Sequence, residues 1–356
     1  MLKTPAVLLS LSKPFAHAFE RWRTARERTL PRRRVPVRVT LLRVVLSVVA
    51  LCCVLAIWGY GYAVVYHQAD RTVEDLSRRW GQPPSRFVEV DGMQVHVREM
   101  GPVSDPTPIV LIHDDDSSLY TWSAWMQGLS ATRRVIAMDL PGYGLTGPSP
   151  ERAYGLLNEA GFITRLMQAL GVSHCQLVGN GWGGELAQMV AIIDPDLVTK
   201  LVLIAPAGYA TNTPPDRFLY DWFRGLVFDP IYLETLSRAK VARDLRRRYA
   251  HPERVTDDLV ERDFELRLRS GNRQAELDIQ DRKENKPTAD QLANIHVPVL
   301  IVWGGRDAIQ PQEQAYWQQR DMPGSQVVIL DDLGHFPQEE DPPASLQAVM
   351  PFLNQP

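Results

Sequence analysis

The sequence predicts an α/β fold: a three-layer sandwich with a mostly parallel sheet, broken by a helical insertion and preceded by one transmembrane helix. Three observations carry this. Short apolar runs alternate with helical patterns over residues 86–210 and again over 291–356, the rhythm of a parallel sheet covered on both faces. Between these stretches, residues 211–290 are helical in pattern, rich in Arg, Asp and Glu, and show no buried strand. Ahead of everything lies Val44–Val65, which carries no charge.

Taken in order, residues 1–43 form a basic arm with 11 Lys or Arg and two Glu, net +9. The whole chain is −3, so the rest is −12. A basic arm on an acidic body raises the possibility of nucleic acid, but the apolar stretch behind it points to a membrane instead. As a helix, 22 residues span ~33 Å, enough for a bilayer core of ~30 Å. Trp58, Tyr60 and Tyr62 cluster at the far end like an interfacial belt, and the arginines precede it. Residues 44–66 therefore read as an uncleaved signal anchor in the inner (plasma) membrane. The N-terminus is expected in the cytoplasm and the main domain in the periplasm or otherwise outside. Residues 67–85 are polar, end in Gly81-Gln-Pro-Pro-Ser, and read as a linker.

The domain itself, residues 86–210 and 291–356, opens with a hairpin. Phe87–Val90 and Met93–Val97 alternate around Asp91-Gly92. Ile109–Ile112 is a short apolar run, as a strand buried on both faces should be. A helix over 120–129, a strand over 134–138, a helix over 159–170 and a strand over 176–178 follow. Next come a helix over 185–193 and a strand over 201–204. After the insertion, residues 297–303 and 326–330 resume the sheet. The insertion, 211–290, is expected to fold as a lid, and its charged stretch 243–248 reads as a solvated helix face. Cys52 and Cys53 lie in the anchor and Cys175 begins a strand, so the domain has one cysteine and forms no internal disulfide.

The chemistry centres on Gln176-Leu-Val-Gly-Asn-Gly-Trp-Gly-Gly-Glu185. An apolar strand runs into a glycine-dense turn and then a helix, the setting in which a G-x-S-x-G motif presents a nucleophile. Gly179 and Gly183 hold the flanking places, and Gly181 stands where the serine belongs. Asp307, in Trp303-Gly-Gly-Arg-Asp, and His335, in Asp331-Asp-Leu-Gly-His-Phe-Pro, follow later strands. That order, nucleophile then acid then histidine, lets the acid orient an imidazole that shuttles a proton. Gly179-Asn-Gly-Trp-Gly-Gly184 also satisfies a dinucleotide-binding pattern. The next strand ends Ile204-Ala-Pro-Ala-Gly, without the acidic residue that would hold a ribose, so no nucleotide and no other cofactor is expected.

With these segments in view, the chain resembles the α/β-hydrolase superfamily. The resemblance is to the lid-bearing group that includes carbon–carbon bond hydrolases, epoxide hydrolases and small esterases. It rests on Val110-Leu-Ile-His-Asp, Asp139-Leu-Pro-Gly-Tyr-Gly, Val178-Gly-Asn-Gly-Trp-Gly-Gly, Trp303-Gly-Gly-Arg-Asp and Gly334-His-Phe-Pro-Gln-Glu-Glu-Asp-Pro, across roughly residues 87–356. It implies an α/β-hydrolase sandwich with His335 and Asp307 as catalytic residues. It also implies an oxyanion loop formed by His113, Asp114 and the N–H of Trp182.

Two departures govern function. Gly181 replaces the family's Ser, Asp or Cys, so no covalent intermediate forms there. Asp114 replaces the glycine usual after His113 and begins the run Asp114-Asp115-Asp116. A carboxylate there would oppose an oxyanion and raise the pKa of neighbouring carboxylates. Two placements of the run remain open: a solvated turn with its carboxylates outward, or acids turned into the site. A divalent cation is a weaker option because no familiar metal spacing is present. Three functions follow: a catalytically defective relative that binds a small apolar ligand or a partner under its lid; an enzyme using the Asp307/His335 dyad without a nucleophile, by water activation or proton abstraction; or a conventional hydrolase whose serine was lost in this sequence. No nucleic-acid partner is expected.

Overall fold

The computed structural model describes residues 37–209, 224–282 and 286–355. Helix α1, Val37–Tyr66, contains Leu42–Tyr66, which is long and apolar enough to cross a membrane. It starts several residues ahead of the uncharged stretch. The chain divides into two compact units at Gly61, and the domain begins at Tyr62.

The domain is built on one mixed eight-stranded sheet in the order β1-β2-β4-β3-β5-β6-β7-β8. Strands β1 (Ser85–Val90) and β2 (Met93–Met100) form the expected hairpin. Asp91 and Gly92 both take positive φ, 53° and 74°, the conformation a two-residue turn with the right twist demands. Strand β2 is antiparallel to β4 (Val135–Met138). From β4 onward, β3 (Ile109–Ile112), β5 (Cys175–Asn180), β6 (Val198–Ile204), β7 (Val299–Gly304) and β8 (Gln326–Leu330) run parallel. Every residue of β3, β4, β5 and β7 is buried. The unbroken apolar runs of β3, β4 and β7 follow from having a helical layer on each face.

Helices α3 (Ser123–Leu129), α4 (Leu156–Ala169), α5 (Trp182–Ile193), α11 (Glu313–Asp321) and α13 (Pro342–Leu353) make those layers. One apolar cluster joins α4 and α5 to the sheet, and a second lies under α3 and α13 around Trp122 and Trp125. The region between β6 and β7, as far as it is described, consists of a helical turn at Arg224–Phe228 and α6 (Asp229–Glu234), α7 (Arg238–Arg248), α8 (Asp257–Arg267), α9 (Asn272–Gln280) and α10 (Ala289–Ala293). Residues 211–223 and 283–285 of the expected insertion lie outside the described residues. The inserted helices have their own apolar cluster, which takes in Phe336 beside His335.

The segment expected as a linker, 67–85, is not loose. Helix α2, Val73–Trp80, starts at Thr72, whose hydroxyl accepts the Asp75 N–H (3.2 Å). It buries Leu76 against Leu145 and Leu266. Glu265 of α8 accepts hydrogen bonds from Arg71 (2.7 Å), Arg79 (3.1 Å) and Trp80 Nε1 (2.7 Å). The polar composition of this stretch serves a salt-bridged dock rather than solvation.

Candidate functional site

The site forms where β3, β5, β7 and β8 end. Strand β5 stops at Asn180, and Gly181 turns the chain into α5 with φ 54° and ψ −117°. A side chain in that region costs ~1–3 kcal/mol, so glycine relieves the strain that any nucleophile there would carry. The opening left at Gly181 is filled from across the sheet. A Cβ built on Gly181 would lie 2.7 Å from Asp114 Oδ2 and nearer still to Oδ1 and Cγ, closer than real Cβ atoms approach any neighbour. The Asp114 carboxylate, from the loop after β3, thus stands where the side chain of residue 181 would project.

Its hydrogen bonds define its role. The Trp182 N–H donates to Asp114 Oδ1 (2.6 Å), and Asp114 Oδ2 faces His335 Nε2 at 3.1 Å. On its other side, His335 Nδ1 lies 2.7 Å from Asp307 Oδ2. Asp307 Oδ1 accepts the N–H groups of Ile309 (2.7 Å) and Gln310 (2.9 Å), which fixes the carboxylate. His335 is held by its backbone as well. Its N–H donates to Arg248 O (2.7 Å), and its carbonyl accepts from Asn180 Nδ2 (3.0 Å). The result is one continuous chain, Asp114–His335–Asp307, with Asp114 7% and His335 1% exposed.

The family model described as the α/β hydrolase fold matches residues 107–342. The chain belongs to the α/β-hydrolase-fold family. Among curated relatives, the dihydrolipoyllysine-residue acetyltransferase component of the acetoin cleaving system of Pseudomonas putida is 29% identical over 291 residues. That match covers 80% of this chain and 74% of that protein. The protein of the same name from Cupriavidus necator is 30% identical over 263 residues, 72% of this chain, and the match spans 65% of its length. Among solved structures, a membrane phospholipase A described as a bacterial virulence factor superposes with TM-score 0.62 at 24% identity. It covers 89% of this chain and 98% of its own, a likeness of fold.

Within this α/β-hydrolase fold the three predicted oxyanion-loop residues separate. Trp182 N–H and Asp114 meet at the elbow. His113 does not enter the site. Its Nδ1 donates to Asp114 O (2.7 Å) and its Nε2 accepts the Leu140 N–H (3.0 Å), so this fully buried ring braces the loop. Burial pushes its pKa down, as a neutral bracket requires.

The Asp run proves to be split between the two placements read from the sequence. Asp114 turns inward. Asp115 pairs with Arg282 of the inserted segment (2.8 Å) and accepts from Tyr143 (2.8 Å), and Asp116 pairs with Arg248 (3.3 Å). None is a simple solvated turn acid. Burial disfavours the charge on Asp114, but the hydrogen bond and charge of His335, the Arg248 charge and the Trp182 N–H outweigh it, and its pKa is held below the usual carboxylate range. The expectation that the run would raise neighbouring carboxylates holds for Asp115, raised by burial first with the Asp114 charge adding to it against Arg282, and for Glu276, raised by burial and then by the Asp116 charge; Asp114 itself departs from it. His335 loses from burial, yet Asp307 and Asp114 together lift its pKa to about 9. At neutral pH it is an imidazolium donating to both carboxylates.

Several residues around the site gave no signal in the sequence. Asn180 ties His335 to the elbow. Glu159 of α4, buried, accepts the Trp182 Nε1–H (2.9 Å) and the Gly155 N–H (2.9 Å), and burial lifts its pKa to about 7. Arg282 stacks over the Trp182 ring at 3.6 Å. Asn180 alone was recoverable, as a buriable amide between two glycines of the turn. A cavity of about 210 Å³ borders the run, lined by Asp115, Asp116, Tyr143, Glu276 and Arg282 among others.

Proposed function

We propose that the chain is a membrane-tethered α/β-hydrolase relative that performs no serine-type ester hydrolysis and works by holding an amphiphilic ligand beneath its inserted helices. Helix α1 is the tether, with the basic arm in the cytoplasm and the domain outside, on the strength of the arginines before it and the aromatic residues at its end. One observation carries the loss of ester chemistry: the Asp114 carboxylate fills the nucleophile's place and takes the Trp182 N–H that would receive an oxyanion. A free general base is also missing. His335 Nε2 is engaged by Asp114, and the ring is protonated below about pH 9, which weighs against water activation by the Asp307/His335 dyad. The charged lining of the cavity favours a ligand with a polar head over a purely apolar one. The test is a fluorophosphonate probe with the full chain in detergent. No labelling is expected, and stoichiometric labelling overturns the reading.

A second reading rests on the same geometry. A carboxylate anchored through one oxygen and presenting the other is arranged to displace a leaving group from saturated carbon. Asp114 Oδ2 would form the C–O ester bond as the carbon–leaving-group bond breaks. With that charge gone, His335 would lose a partner, give its proton to the leaving oxygen, and then draw a proton from water attacking the ester carbonyl. One turnover on an epoxide in ¹⁸O-water would place the label in Asp114, and an unlabelled Asp114 with product formed excludes it.

A further inference from the structure

From Tyr66 onward the chain is sewn to the inserted helices. The Leu236 N–H donates to Tyr66 O (3.1 Å), the last residue of α1, and the Gln68 N–H donates to Glu234 O (3.1 Å). His67 bridges Thr235 between them. The Arg71 N–H then donates to Leu268 O (2.7 Å), and the Ser270 N–H to Arg71 O (2.8 Å). Arg273 closes the seam on Gln68 O (2.8 Å) and Asp70 (2.5 Å). No slack separates the end of the span from the α6–α7 corner.

That corner has the chemistry of a bilayer surface. Phe228, just before α6, is 54% exposed, and the six residues of α6, about 9 Å of helical rise, separate it from the corner. Val64 and Val65, at the end of α1, are exposed at 61% and 71%. Two residues past the seam begins α7, with six basic side chains against one Asp. Its buried residues are Val241, Ala242, Leu245 and Arg248. Arg243, Arg246 and Arg247, spaced i, i+3 and i+4, form an exposed stripe away from them. An exposed apolar side chain on one arm of the corner and a basic stripe on the other supply the two contacts by which an interfacial segment meets anionic headgroups. The far end of α7 is the site itself, since Arg248 O accepts the His335 N–H and Arg248 pairs with Asp116. Tyr232 of α6 likewise donates to Glu276, a wall of the cavity.

We propose that the α6–α7 corner docks on the bilayer the chain is anchored in, with Phe228 in the interface and Arg243, Arg246 and Arg247 on anionic lipid phosphates. The site then opens beside the headgroups and takes its ligand from the lipid phase. This rests on α1 being the tether.

The experiment uses the full chain in vesicles of phosphatidylcholine, with and without phosphatidylglycerol. Cys52→Ser and Cys53→Ser supply the background, and Cys175 is buried. Spin labels go on Phe228→Cys, Arg247→Cys and, as an aqueous reference, Val103→Cys, whose native side chain is 72% exposed. Thermal melts confirm that each variant is folded. The label at 228 should be reached by oxygen more than by a neutral nickel chelate, and the label at 103 the reverse. The label at 247 should lose chelate contact only with phosphatidylglycerol, and regain it at about 1 M salt, where the Debye length is ~3 Å. Replacing all three arginines, Arg243→Glu, Arg246→Glu and Arg247→Glu, should abolish the effect of phosphatidylglycerol on the label at 228. Vesicle flotation separates the failures. A chain that does not float overturns the tether and the docking with it. A chain that floats while its label at 228 is as aqueous as the one at 103 overturns the docking alone.

Discussion

Replacing Asp114 with Asn keeps the shape of the side chain and removes the charge that helps to hold a proton on His335. In the folded protein the His335 pKa is lifted from 6.5 to about 9, with Asp307 and Asp114 overcoming burial. At 1.36 kcal/mol per unit, the lift is about 3 kcal/mol of folding free energy. Because the folded pKa is the higher one, this stability is fully present below pH 6.5 and is lost as pH rises through about 9. Asp114→Asn removes one of the two carboxylates, so the His335 pKa should fall by at least about one unit, ~1.4 kcal/mol. Two measurements check it. Carbon-13 NMR of labelled histidine in the full chain, with His335→Gln to assign the peak, gives the titration directly. Urea melts from about pH 6 to about pH 10 give the linkage, read as the difference between wild type and variant. The alkaline loss of stability should begin near pH 6.5 in both proteins, and in the variant it should be smaller and complete at lower pH. If His335 titrates at the same pH in both proteins, the Asp114 carboxylate is not what holds the proton, and the argument for a closed ester site loses its electrostatic half.

The remaining predictions are briefer. Gly181→Ser alone should destabilise the fold by ~1–3 kcal/mol through its backbone strain, more if Asp114 cannot move aside, and give esterase activity near background. Gly181→Ser with Asp114→Gly clears the clash, frees the Trp182 N–H and should exceed the product of the single effects in p-nitrophenyl ester turnover; a folded double variant no better than background refutes the shared-site geometry. Glu159→Gln removes a buried acid whose folded pKa, about 7, stands above its ordinary 4.5, so native stability here is present below pH 4.5 and lost through about 7; the amide leaves one of the two N–H donors that Glu159 accepts unsatisfied, so the variant should be the less stable by ~1–3 kcal/mol at about pH 4 in urea melts, and the difference should move in its favour by ~3 kcal/mol by about pH 8. The chain should resist alkaline carbonate extraction from membranes, and a reporter fused after Pro356 should be active only outside the cytoplasm; release by carbonate or a cytoplasmic reporter removes the tether or its orientation.

The strands and the late triad residues were legible because each is written locally. Ile109–Ile112 and Val299–Gly304 are apolar without a break, and only a strand covered on both faces tolerates that. Asp307 follows such a strand and His335 follows the half-buried edge strand β8, so their order along the chain is also their place at the strands' C-terminal ends. The dock of residues 67–80 was not legible. Its holding residue, Glu265, lies some 190 positions away, and until it is in place the polar stretch has the composition of a linker. The Asp run was readable as unusual but not as three different acids. Which of them turns inward depends on Arg248 and Arg282 arriving from the insertion to claim the other two.

Gly181 and Asp114 look in sequence like two separate departures from the family pattern, 67 positions apart. In space they are one. Strands β3 and β5 are neighbours, and their ends bring the loop at 114 over the turn at 181. A side chain at 181 and a carboxylate at 114 exclude each other, so the chain that lost the first gained room for the second. The exchange keeps the electrostatic logic of the site while changing its chemistry. His335 still has Asp307 behind it and an oxygen in front, but the oxygen is already an anion and already holds the Trp182 N–H. A neutral hydroxyl there would wait for an imidazole to take its proton; this carboxylate keeps the imidazole charged. Ester hydrolysis needs a base and an empty oxyanion hole at the same moment, and the proposed loss of that chemistry follows from one carboxylate engaging both His335 Nε2 and the Trp182 N–H.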